Sequence, residues 1–125
     1  MDKDLLYRKE ILDYYKNPMF KEDPSSYDLK AHLKNPSCGD DLTIYISLDK
    51  EKNIQQISYS GPLCAISTYG AELACQYLLN KNIKDINTIN LLDLIDKEEF
   101  PIDKNPVRLK CFLLVINTLG KINLR

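Results

Sequence analysis

LTIYISLDKEKNIQQISYSGPLCAISTYGAELACQYL, residues 42–78, changes its period part-way along. Leu42, Ile44, Ile46 and Leu48 alternate with Thr43, Tyr45 and Ser47, the two-residue repeat of a half-buried strand. LDKEKN, 48–53, has the length and polarity of a hairpin turn. A further strand is expected over 54–60, with its alternation broken at Gln55-Gln56 by a bulge. After Gly61-Pro62 the repeat lengthens: Ile66, Gly70, Leu73, Ala74, Tyr77 and Leu78 make the stripe of a helix.

Upstream, Leu29, Ala31 and Leu33 alternate with Lys30, His32 and Lys34, which adds a strand and predicts a three-stranded antiparallel meander. KEDPSS, 21–26, reads as a loop, and Asn17-Pro18 ends an amphipathic helix over 3–16 whose stripe is Leu5, Tyr7, Ile11, Leu12 and Tyr15. Downstream, a short helix is expected over 87–95. Asn105-Pro106 then offers an N-cap followed by proline at the first helical position. Val107, Cys111, Leu114, Val115, Thr118 and Leu119 define one last helix, with Gly120 as its stop. There is no internal repeat and no linker that would split the chain, so a single domain over 1–125 is expected. The order helix, three strands, helices is that of an α+β fold, with the helices packed on one side of the sheet.

With 44% hydrophobic residues the chain can bury a core without covalent staples. Seventeen basic and 18 acidic residues leave a formal net charge of −1, so no basic field exists to concentrate nucleic acid or to mark a membrane-surface patch. The charged start MDKDLLYRKE lacks the apolar core of a signal peptide, and the longest apolar run, 112–116, is too short to span a bilayer. These features predict a soluble, cytoplasmic protein. In a reducing compartment the four cysteines read as core residues, metal ligands or reactive thiols rather than as disulfides.

No CxxC pair is present, so any metal site must be assembled from distant segments. Cys38 falls on the loop between the first two strands, Cys64 at the start of the second helix, and Cys111 about a turn and a half into the last. A helix start favours thiolate through its free N–H groups and its dipole. If the loop carrying Cys38 faces these two helix starts, three thiolates converge, and Asp40 beyond Gly39 can add an oxygen. Three sulfurs and one oxygen make a tetrahedral site for zinc. Taken singly, each cysteine also reads as a buried thiol, and Asp40 as a turn cap. Cys75, mid-helix beside Ala71 and Leu78, reads as structural. The single histidine, His32, shares strand parity with Lys30 and Lys34 and reads as a surface residue.

LYRKEILDYYKNP, NPSCGD, GPLCAIS and VRLKC, in this order along nearly the whole chain, resemble the IscU/NifU N-terminal family of iron–sulfur cluster assembly proteins, most closely its SufU branch. The resemblance implies a small antiparallel sheet with helices on one side and a metal site at an exposed end, held by Cys38, Asp40, Cys64 and Cys111. It implies one zinc per chain, or alternatively iron or a transient [2Fe–2S] cluster. It also implies a pyridoxal-phosphate cysteine desulfurase as partner, downstream iron–sulfur assembly or acceptor proteins, and Cys38 as sulfur acceptor with Cys111 as the alternative. The alternative function is a scaffold that builds and releases a cluster. The chain departs from its relatives in places. Lys110 stands where the IscU branch has a histidine, and lysine, protonated near neutral pH, is a poor zinc ligand. Arg108 precedes it as in SufU-like proteins. The interval between Cys64 and Cys111 lacks the extra segment usual in that branch, and Leu63 and Tyr69 replace small residues.

Overall fold

The computed structural model describes residues 3–36, 39–95 and 101–122, without the side chains of 3–8 and 103. Helix α1 (Lys3–Lys16) is followed by β1 (Leu29–Asn35), β2 (Asp40–Leu48), β3 (Ile54–Ser60) and α2 (Ala65–Leu78). Three 3-10 turns, Ile83–Asn87, Leu91–Leu94 and Ile102–Lys104, lead to α3 (Pro106–Phe112) and α4 (Leu114–Leu119). The strands form an antiparallel meander in the order β1-β2-β3, as the alternation predicts.

One face of the sheet carries Leu42, Ile44 and Ile46 from β2 and Tyr59 from β3, each at most 1% exposed, and the helices cover it. Partners Leu48↔Ile54 and Ser47↔Gln56 leave Gln55 without an opposite residue, which places the expected bulge there. The bulge keeps Ile54, Ile57 and Tyr59 buried while both glutamines stay exposed. Asp49 closes the β2–β3 turn. Its carboxylate accepts the amides of Glu51 and Asn53 at 2.9 and 2.8 Å.

Three local expectations differ from the structure. On α1, Ile11 is buried, but Leu12 and Tyr15 are exposed. Tyr14 makes the inward contact instead, its ring 5.8 Å from that of Tyr69 on α2. The side chains of Leu5 and Tyr7 lie outside the described residues. In place of the helix expected over 87–95 there is the 3-10 turn Leu91–Leu94, with Ile83–Asn87 just before it; Asn90 and Asn82 cap these turns by accepting the amides of Leu92 and Lys84. The last helix breaks at Leu113 into α3 and α4. The break falls where α2 presses on it: a Cβ added to Gly70 would lie 2.3 Å from the Phe112 carbonyl oxygen.

Sequence periodicity also passes over Glu72, which is 0% exposed. Its carboxylate accepts the amides of Met19 and Phe20 at 2.8 and 3.0 Å and the Tyr59 hydroxyl at 2.8 Å. The connector after α1 is thereby fastened to α2 and β3, and a parallel bridge between Lys21 and Tyr59 continues the attachment. Burial, and then Glu72, push the Tyr59 hydroxyl and the Cys75 thiol well above their ordinary values, so both stay protonated in the folded protein.

Candidate metal centre

Two close backbone approaches build the end of the sheet from which β2 starts. Gly61 has φ +112°, and a Cβ there would lie 1.9 Å from the Asp41 carbonyl oxygen, so glycine is required. The Asp41 amide donates to the Pro62 carbonyl at 3.0 Å. Together these contacts set the first residues of β2 beside the segment that opens α2. The Gly70–Phe112 approach does the same for α2 and α3, and so places Cys111 beside the start of α2.

Cys64 is the N-cap of α2, its sulfur accepting the Ser67 amide at 3.5 Å in the role an oxygen usually fills. Asp40 is 2% exposed. Its Oδ1 accepts the Cys64 amide at 2.8 Å, its Oδ2 accepts the Ser67 hydroxyl, and Oδ2 lies 3.6 Å from Cys64 Sγ. The carboxylate thus holds the start of α2, 24 and 27 residues along the chain, as well as being a possible metal donor. Asn105 caps α3 by accepting the Arg108 amide at 3.2 Å, with Pro106 at the first helical position as expected. Cys111, 5% exposed, lies about a turn and a half into α3, and the buried Asn35 side chain places its amide nitrogen 3.9 Å from the Cys111 sulfur.

One ligand atom each from Asp40, Cys64 and Cys111 lie within 4.8 Å of one another. The three come from β2, the α2 cap and α3, so only the tertiary fold brings them together. Cys38 falls in the loop 36–39 that joins the paired residues Asn35 and Asp40, and it lies outside the described residues. Cys75 is not part of the group and is 1% exposed inside α2. His32 is exposed on β1 and pairs with Asp41, in keeping with a surface histidine. Lys110 and Arg108 are exposed on α3. Sequence reasoning missed Ser67 and Asn35. The signal for Ser67 was its place three residues after a helix cap, where a side chain turns back on the cap residue.

A family model described as the NifU-like N terminal domain matches residues 6–115. The chain belongs to this family. Within the NifU-like N-terminal family, a Bacillus subtilis protein named zinc-dependent sulfurtransferase SufU is 27% identical over 94% of this chain and 89% of its own length. An iron–sulfur cluster assembly scaffold protein IscU from Thermotoga maritima is 26% identical over 92% of this chain and 90% of that one. Among solved structures, a Fervidobacterium islandicum protein described as an iron–sulfur cluster assembly scaffold for the SUF system superposes with a TM-score of 0.69 at 27% identity, covering 88% of this chain and 90% of that chain. The α+β architecture seen here, a strand meander with helices, is shared with that neighbour. No helix among the described residues is long and apolar enough to cross a membrane.

Proposed function

We propose that this protein is an iron–sulfur cluster assembly protein that holds one zinc ion on Cys38, Asp40, Cys64 and Cys111 and accepts sulfur from a pyridoxal-phosphate cysteine desulfurase. The observation that carries the reading is the convergence of Asp40, Cys64 and Cys111 within 4.8 Å. Cys38 completes the set: it is two residues from Asp40, and two steps of chain span at most ~7 Å. Three thiolates and a carboxylate suit zinc. Bound zinc supplies positive charge that keeps the thiols deprotonated, without redox chemistry of its own.

The chain's residues supply the transfer. The Cys38 thiolate attacks the terminal sulfur of the persulfide on the partner's cysteine. The S–S bond of the donor breaks, the donor cysteine leaves as a thiolate, and the terminal sulfur passes to Cys38 with whatever proton it carried. A new S–S bond replaces the old one, so no external electrons are needed. Cys111 is the alternative acceptor. The sulfur then passes to downstream assembly or acceptor proteins.

The IscU name of several relatives favours a second reading, in which the same ligands assemble a [2Fe–2S] cluster and release it. Metal analysis of protein expressed without supplementation, together with a desulfurase assay with and without it, separates the two. The zinc acceptor reading expects about one zinc per chain, little iron and a stimulated desulfurase. Cys38→Ala should abolish that stimulation, whereas Asp40→Ala should loosen the metal by removing one of four donors. A brown, iron-loaded, zinc-free product would overturn the acceptor reading in favour of the scaffold. Full stimulation by Cys38→Ala would remove Cys38 as the acceptor.

A further inference from the structure

Ser67 touches two members of the donor cluster with one side chain. It is 2% exposed on the first turn of α2. Its hydroxyl donates to Asp40 Oδ2 and lies 3.3 Å from Cys64 Sγ, while its backbone amide donates to the same sulfur at 3.5 Å. On the other side of the carboxylate, Asp40 Oδ1 accepts the Cys64 amide at 2.8 Å. Each oxygen of Asp40 is therefore tethered by a donor from the start of α2. A carboxylate offers about four lone-pair sites on its two oxygens. Here Oδ1 faces the Cys64 amide and Oδ2 faces the Ser67 hydroxyl and the Cys64 sulfur, so the plane of the group is set by the start of α2.

We propose that Ser67 is a positioning residue of the metal centre: its hydroxyl fixes the Asp40 carboxylate in the orientation in which it would join Cys64 and Cys111 in holding a metal. This rests on the zinc-site reading above and adds a residue to it. With both oxygens held from the start of α2, the carboxylate is presented to a metal in one orientation. Without the hydroxyl, Asp40 loses one of the donors from the start of α2 that hold its χ2 torsion. The carboxylate would then have to be ordered when the metal binds, and affinity falls. Partners that orient metal ligands in this way are worth about 10–100-fold in affinity.

The test is a zinc competition titration against a chromophoric chelator, with the visible spectrum of the cobalt(II)-loaded protein as a second readout. Wild type, Ser67→Ala, Ser67→Thr, Asp40→Ala and the Ser67→Ala/Asp40→Ala double variant are compared. Alanine has the highest helix propensity, so the Ser67→Ala variant keeps α2. Ser67→Ala is expected to weaken zinc about 10-fold and to alter the cobalt spectrum towards that of Asp40→Ala. Ser67→Thr, which restores a hydroxyl, should recover most of the loss. On the Asp40→Ala background the Ser67→Ala change should cost much less, because no carboxylate remains to be oriented and only the contact with Cys64 Sγ is lost; a merely structural serine would weaken both backgrounds alike. Zinc affinity and cobalt spectrum unchanged in Ser67→Ala, or an equal loss on both backgrounds, would overturn the inference while leaving the zinc site standing. A wild-type protein that takes up neither zinc nor cobalt would overturn the zinc site and this inference together.

Discussion

Replacing Glu72 with alanine removes the acceptor of three hydrogen bonds in a place without exposed surface. The Tyr59 hydroxyl is buried behind the carboxylate and would have no water to replace it. The Met19 and Phe20 amides lie in partly buried bonds at the edge of the connector and could reach solvent if that segment moved. Each buried donor left without a partner costs about 1–3 kcal/mol. Taking Tyr59 in the middle of that range and the two amides near its lower end gives a loss of about 3–4 kcal/mol. Glu72→Gln keeps one acceptor oxygen but sets an NH2 group against a second donor, so about half the loss is expected. In urea, with a slope of about 1.5 kcal/mol/M for a domain of this size, Glu72→Ala should lower the unfolding midpoint by about 2 M at unchanged slope. Hydrogen exchange locates the effect: the Met19 and Phe20 amides should lose protection, and the α3 and α4 amides should follow only the global change. An unchanged midpoint, or Met19 and Phe20 amides as protected as in wild type, would refute the view that this carboxylate fastens the connector.

Gly70→Ala forces a Cβ to within 2.3 Å of the Phe112 carbonyl oxygen and must push α2 from α3. It should destabilise by about 1–3 kcal/mol and also weaken zinc, because Cys64 and Cys111 ride on the two separated helices; thermal unfolding and the chelator titration measure the two effects. Alkaline pH should destabilise the zinc-free protein. The Cys75 thiol and Tyr59 hydroxyl are raised above their unfolded values of 9.0 and 10.0, so above pH 9 the unfolded chain sheds protons that the fold retains. That stabilisation is complete below the unfolded values and is lost as pH climbs towards the folded ones, at up to about 1.4 kcal/mol per pH unit for each group. Cys75→Ala, followed by urea midpoints between pH 8 and 11, should delay the decline towards pH 10. It should leave zinc content intact, and a loss of zinc would contradict the place of Cys75 outside the donor cluster.

Interactions between chain neighbours were legible in the sequence. The two-residue repeat over 42–48 became β2, the broken alternation at Gln55-Gln56 became the bulge, and Asn105-Pro106 opened α3, because pleat, bulge and cap energies depend on a few adjacent residues. The motif resemblance named Asp40, Cys64 and Cys111, and the fold brings them together. Tertiary structure decided whatever depended on what lay across the chain. Leu12 and Tyr15 fit a helical stripe as well as Tyr14 does, but only the packing of α1 on α2 selected Tyr14. Glu72 drew no reading from the sequence, since the amides that satisfy it are more than fifty residues earlier. The break at Leu113 falls beside the close approach of Gly70 to Phe112, and Ser67 acquired its place at the cluster only because β2 delivers Asp40 to the start of α2. Burial and hydrogen bonding of this kind are contributions from segments distant in sequence, and the local pattern of residues carries no record of which distant segment arrives.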